Sequence, residues 1–152
     1  MPRKLDEWLG RIKGIEREQT AIRLATDRLL AMVEGDPTAI PADSALRIRD
    51  LRNASERLEG TYIIRLFAEF ETGLRLFWPT ARATQPPSRT RDLLDGIAAM
   101  RRIPNDQLLH AHTVRDYRNS LVHEREETPA PLSIAEARGH LCRFFAFLPP
   151  NW

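Results

Sequence analysis

The segment VRDYRNSLVHE, from Val114 to Glu124, holds the residue types of this chain best suited to chemistry. It places Arg118 and His123 on either side of a short apolar step. Arginine keeps its charge at any relevant pH and can neutralise a phosphate. An unperturbed histidine can both accept and donate a proton near neutrality. The pair therefore indicates phosphodiester chemistry, although an Arg-x4-His pattern alone is too common in an arginine-rich chain to identify a site.

Arg118 occupies an unusual position for a charged residue. At about 100° per residue it lies in the middle of an apolar arc of the fourth predicted helix, made of Ala111, Val114, Tyr117, Leu121 and Val122. A guanidinium in such a place needs a carboxylate, a ligand or a second chain. Glu71, at the edge of the apolar arc of the second helix, is the predicted partner. A structural ion pair and a snorkelling side chain remain alternatives.

The opposite face of the same helix carries a polar stripe of His112, Asp116, Asn119 and His123. We expect Asn119 to hydrogen-bond the His123 imidazole and Asp116 to raise its basicity. A lone histidine on a polar face is more often simply solvated. In one ideal helix Arg118 and His123 point roughly 140° apart. The helix must therefore unwind near His123, or a symmetric dimer must bring the two motifs together.

The hydrophobic pattern predicts five helices that position these residues. The first helix is long, from Leu5 to Val33, and the second runs from Asp43 to Trp78, with a kink or break at Gly60 and Pro79 just beyond its end. The third runs from Leu93 to Met100, and the fourth begins at Pro104 and Asn105. The fifth follows a capping box of Ser133 and Glu136. Strand-like alternation is absent. The expected fold is an all-α, up-down helical bundle that forms a single domain over residues 1–152.

The net charge of the chain is small, but nearly all of its basic residues are arginines. The net charge is +2, and only Lys4 and Lys13 are lysines, so 21 of the 23 basic residues are arginines. Arginine is a bidentate phosphate ligand. Arg82, Arg89 and Arg91 belong to the predicted mobile loop Thr80–Arg91, which is either a solvated loop or an RNA contact. Arg115 and His112, next to the motif, are further candidates for substrate binding.

The remaining composition narrows the setting. One cysteine, Cys142, excludes an internal disulfide, suits a reducing cytoplasm and is expected to be a small hydrophobic residue. No apolar run approaches the roughly 20 residues of a membrane helix. His140 and Cys142 lack metal-ligand spacing, and no Gly-rich phosphate loop is present. We therefore expect no membrane attachment, no metal and no cofactor.

These residues together resemble the HEPN superfamily of small helical bundles. Its hallmark is an arginine, four to six residues and a histidine, often with a polar residue directly after the arginine, which Arg118, Asn119 and His123 match. Phe70 and Glu71, in the upstream LFAEFETGL, are similar to a polar position that many members keep. The resemblance covers the chain from about Arg57 onward.

The resemblance implies a metal-independent ribonuclease of toxin or phage-defence type, active as a homodimer. His123 would transfer protons, Arg118 would stabilise the transition-state charge, Asn119 would position the imidazole or the phosphate, and the product would be a 2′,3′-cyclic phosphate. Members regulated by a modifying antitoxin often carry a tyrosine two residues after the histidine, where this chain has Arg125. The alternatives are a non-catalytic helical module that binds a nucleotide, nucleic acid or partner protein, and a purely structural subunit.

Overall fold

The computed structural model describes residues 4–123 and 129–152. Within them the chain forms five α-helices and no strand, and 77% of it is helical. The helices are α1 (Leu5–Gly35), α2 (Ile48–Arg82), α3 (Thr90–Arg101), α4 (Asn105–Val122) and α5 (Ile134–Phe145), with a short 3-10 turn at Pro37–Ala39. The predicted all-α bundle is confirmed. Among the described residues, no helix has an apolar stretch long enough to cross a lipid bilayer.

The second helix differs from its prediction at three places. It begins at Ile48, where the Asp50 carboxylate accepts the Arg47 N–H (2.9 Å). It continues through Gly60 without a break, and the glycine lets the Leu121 side chain pack closely there, since a Cβ would lie 3.3 Å from Leu121 Cδ2. It also includes Pro79, since a proline in the last turn removes only one hydrogen bond. The predicted break at Gly60 and end before Pro79 are therefore wrong.

The core is built around the aromatic rings of α1, α2 and α5. Phe70 meets Phe144 and Phe145 edge-on, with ring centroids 5.6 and 4.9 Å apart. All three rings are fully buried, and every helix contributes to the same apolar cluster. Gly73 permits this packing, because a Cβ at that position would lie 2.7 Å from the Phe145 ring. The Ser133–Glu136 capping box that starts α5 is confirmed.

The direction of α3 decides where the site lies. Thr90 Oγ1 donates to Glu71 (2.9 Å), and Gly96 packs against the Trp78 ring, so α3 runs in the same direction as α2. The following helix, α4, turns back along α3, and His112 meets Asp95. As a result, the first turn of α3 lies opposite the C-terminal turns of α4, which carry Arg118. The simple up-down order thus applies to α1–α2 and α3–α4 but not to α2–α3.

Histidine rings stack where α4 meets α5. His110 and His140 have ring centroids 4.3 Å apart and planes 21° apart. Burial lowers the pKa of His140 from its usual 6.5, the positive charges of His110 and Arg143 lower it further, and Glu136 opposes them. Burial likewise raises the pKa of the half-buried Cys142 thiol, which keeps it in the uncharged form expected of a small hydrophobic residue.

The stacked pair should make the bundle sensitive to acid. The pKa of His140 is lower in the folded state than in the unfolded state, so the unfolded chain binds more protons between the two values. The stabilisation is complete above about pH 6.5 and is lost as pH falls through the folded pKa. Urea unfolding at pH 7.5 and pH 5.5 should show this loss, and His140→Gln should reduce the difference. An unchanged pH dependence in the variant would contradict the assignment.

Candidate functional site

Arg118 lies on the inner face of α4, close to the end of the helix. Its Cζ is 6.0 Å from the centroid of the buried Phe67 ring, and its Nη1 donates to Asn119 Oδ1 (3.0 Å). Its Nε is buried, and among residues 4–123 and 129–152 it has no hydrogen-bond partner. In the same part of the chain no carboxylate pairs with this guanidinium. A half-buried cation therefore faces the site without a counter-charge.

Glu71 is not the partner that the sequence predicts for Arg118. Its Oε1 accepts hydrogen bonds from Arg75 Nε (3.0 Å), Arg75 Nη2 (2.7 Å) and Thr90 Oγ1 (2.9 Å). Arg75 lies one helical turn after Glu71, and this spacing is the signal that could have revealed the pair. The predicted Glu71–Arg118 contact is wrong, and Glu71 instead joins α2 to the start of α3.

His123 is the residue that directly follows α4. The helix ends at Val122, and His123 has extended backbone geometry (φ −124°, ψ 132°) with an exposed side chain. The angle between Arg118 and His123 in an ideal helix therefore no longer applies, and the unwinding that would let them act together occurs at this position. Arg125, the position at which the resemblance predicts no antitoxin modification because a tyrosine is missing, lies outside the described residues.

The two predicted supports of the His123 imidazole have other partners. Asn119 Oδ1 accepts from Arg118, and Asp116 Oδ1 accepts from Arg115 Nε (3.1 Å) and Nη2 (2.6 Å). Within the described part of the chain, no hydrogen bond fixes the His123 ring. The expected orientation of the imidazole by Asn119 and Asp116 is therefore wrong for this single chain, and Asn119 orients Arg118 instead.

His112 and Arg115 belong to a network between α3 and α4. His112 Nε2 lies 2.6 Å from Asp95 Oδ1, and His112 Nδ1 lies 2.8 Å from Arg115 Nη1. A guanidinium can only donate, so Nδ1 accepts and Nε2 carries the proton shared with Asp95. Each of the two side chains is only 15% exposed. Both groups bind each other and their carboxylates, which leaves little of either for the substrate contact predicted from the sequence.

The loop with the three candidate arginines is anchored and shorter than predicted, because α2 extends to Arg82 and α3 begins at Thr90. The Arg75 guanidinium donates to the carbonyls of Pro87 (2.8 Å) and Ser88 (3.1 Å), and Trp78 Nε1 donates to Thr84 Oγ1 (3.2 Å). These contacts hold the loop at Thr84, Pro87 and Ser88, in the stretch for which the sequence predicts a mobile surface.

The three arginines have different surroundings. Arg82 lies over the Trp78 ring, 5.4 Å from its centroid. Arg89 precedes α3 and Arg91 is in its first turn, both with exposed side chains. Because this turn faces the end of α4, Arg89 and Arg91 lie at the same end of the bundle as Arg118 and His123. We call this region, which carries Arg89, Arg91 and Arg118, the cationic end, because these three guanidiniums form no ion pair among the described residues, although Asp92 and Asp116 lie in the same turns.

Two further searches, for a metal site among the described residues and for related proteins, found none. In the described ranges, no three His, Cys, Asp or Glu side chains lie close enough together to hold a metal ion. The chain matches no protein-family model, no curated protein and no solved structure.

Proposed function

We propose that this protein is a cytoplasmic, metal-independent endoribonuclease of toxin or phage-defence type. The observation that supports the proposal most directly is the half-buried Arg118 guanidinium, which has a buried and unbonded Nε and no carboxylate partner among the described residues. Such a charge is costly unless an anion completes the site. An RNA phosphate is an anion that suits both residues, because the neighbouring His123 could transfer the protons of RNA cleavage.

The proposed reaction is transesterification within the RNA strand. The ribose 2′-oxygen attacks phosphorus and loses its proton, the bond from phosphorus to the 5′-oxygen breaks, and that oxygen gains a proton. His123 transfers these protons, and Arg118, held by Asn119, stabilises the charge on the phosphoryl oxygens in the transition state. The products are a 2′,3′-cyclic phosphate and a 5′-hydroxyl end.

A homodimer would give this site the second proton-transfer group that the reaction can use. Leu121 and Val122, the two residues before His123, are 38% and 47% exposed, so an apolar patch adjoins the motif. Packing this patch against its two-fold mate would bring two copies of His123 together, one to accept a proton and the other to donate one. A toxin of this type would also need a cognate antitoxin protein as a partner.

One observation favours a second candidate function. The His123 ring is exposed and held by no side chain among the described residues, whereas Arg118 is fixed by Asn119 and Phe67. A non-catalytic module that binds a nucleotide, a nucleic acid or a partner protein would need the anion site without the positioned histidine.

Incubation of the purified protein with end-labelled RNA in excess EDTA separates the two candidates. We expect cleavage that leaves 2′,3′-cyclic phosphate ends, which a polynucleotide kinase with phosphatase activity would remove. Binding of intact RNA without cleavage would favour the binding module. Neither binding nor cleavage with several structured and unstructured RNAs would contradict the ribonuclease and would leave a module that binds a nucleotide or a partner protein.

A further inference from the structure

The Arg75 side chain joins three parts of the chain at the cationic end of the bundle. Nε and Nη2 donate to Glu71 Oε1 on α2, Nη1 donates to the Pro87 carbonyl, and Nη2 also donates to the Ser88 carbonyl. The side chain is 31% exposed, and its guanidinium makes four hydrogen bonds to other groups of the protein. This planar group thus holds the end of the α2–α3 loop against α2.

Glu71 extends the same contact to the next helix. It accepts from Thr90 Oγ1 (2.9 Å), and Thr90 is the first residue of α3. The segment from Pro87 to Thr90 is therefore fixed on both sides of Arg89. Connecting loops of this kind are usually solvated and mobile, so this anchoring is more than the joining of two helices requires.

The anchored segment presents two free cations. Arg89 and Arg91 flank Thr90, both are exposed, and among the described residues neither forms an ion pair. They also lie at the N-terminus of α3, where the helix dipole adds positive potential. The pairing of Asp95 with His112 sets the α3–α4 register and places this turn opposite the end of α4 that carries Arg118.

We propose that Arg75 is a positioning residue that holds Arg89 and Arg91 in place to bind RNA phosphates next to the one at Arg118. The inference rests on the proposed ribonuclease function and adds to it a second phosphate-binding element. Arg75 itself does not touch the RNA. Its loss should therefore weaken substrate binding and raise KM, with little change in kcat, because Arg118 and His123 keep their places.

The test compares Arg75→Lys with a matched control, Arg23→Lys. Lysine keeps the charge but cannot span a carboxylate and two carbonyls as a guanidinium does. Arg23 is also 31% exposed and also donates to a backbone carbonyl, that of Ser55 (2.9 Å), but it lies on α1. Binding of a labelled single-stranded RNA is measured over a range of salt concentrations, in a His123→Ala background that keeps the RNA intact.

We expect Arg75→Lys to weaken binding about tenfold and to reduce the salt dependence, because each phosphate contact to a single strand contributes about 0.7 to the slope. Loss of two contacts would lower the slope by about 1.4. Arg89→Ala/Arg91→Ala should reproduce the effect, and adding Arg75→Lys to this pair should weaken binding no further. Arg23→Lys should bind as the unsubstituted protein does.

Two results would overturn the positioning role. They are unchanged RNA binding by Arg75→Lys, and a loss that adds in full to that of Arg89→Ala/Arg91→Ala. A protein that binds no RNA before any change at Arg75 would instead overturn the proposed function, and the positioning role with it. If Arg75→Lys is unstable, Thr90→Val serves as the second variant, because it removes the hydrogen bond to Glu71 between Arg89 and Arg91 and leaves the Arg75 guanidinium in place. It should also weaken RNA binding, and the same non-additivity with the Arg89 and Arg91 changes is expected.

Discussion

Replacing Arg118 with methionine should slow RNA cleavage at least a hundredfold and at the same time make the protein more stable. Removal of a single group that stabilises transition-state charge typically slows a reaction about 10²- to 10³-fold. The same guanidinium has a buried Nε without a partner among the described residues and lies over the Phe67 ring. Methionine fills similar space with no charge to desolvate, so the free energy of unfolding should rise by about 1 kcal/mol.

The matched control is Arg138→Met. Arg138 is 33% exposed and donates to Glu16 Oε2 (2.8 Å), so its charge has the counter-ion that Arg118 lacks. This variant should lose a little stability and cleave RNA as before. Cleavage rates and urea unfolding of both variants are the measurements. An Arg118→Met protein that is destabilised and still cleaves RNA would show that the guanidinium has a structural role.

Local sequence signals were sufficient for most of the fold. The apolar spacing located all five helices, and Ser133 with Glu136 marked the start of α5 correctly. The errors arose where tertiary packing decides the outcome. Gly60 does not break α2, because Leu121 packs against it, and that contact lies 61 positions away in the sequence.

The site was less predictable than the fold, because several polar partners were possible for each of its residues. Helical periodicity placed Arg118 on the inner face of α4, and this prediction is confirmed by its half-buried position. It could not show that Glu71 binds Arg75, or that His112 binds Asp95, since these choices depend on how α3 packs. Periodicity also could not show that α4 ends at Val122, or that Asn119 accepts a hydrogen bond from Arg118 and none from His123.

These partner choices divide the cationic end into two kinds of residue. Arg75, Arg115 and His112 bind other protein groups and hold α2, α3 and α4 together. Arg118, Arg89 and Arg91 keep charge available to a ligand. The unpaired charge of Arg118 is costly for a chain that needs only stability, because this side chain is half-buried, whereas Arg89 and Arg91 are exposed. A polyanion that binds all three would compensate the cost at Arg118.

Unlike Arg118→Met, the His123→Ala substitution should leave the stability of the protein nearly unchanged. The imidazole is exposed beyond the end of α4, so the free energy of unfolding should change by less than about 0.5 kcal/mol. Loss of a proton-transfer group should nevertheless slow RNA cleavage about 10²- to 10⁴-fold. Leu109→Ala, at a 55% exposed position of the same helix, is the surface control and should leave cleavage unchanged.

Two readouts tell whether His123 acts in the chemical step or only in assembly of the dimer. Gel filtration of His123→Ala should show the same oligomer as the unsubstituted protein, and its RNA affinity should be nearly unchanged, because the cationic residues stay in place. A variant that cleaves at the original rate would remove His123 from the mechanism. A variant that loses cleavage only together with dimer formation would assign it to the interface, since an exposed residue next to Leu121 and Val122 can contribute to either.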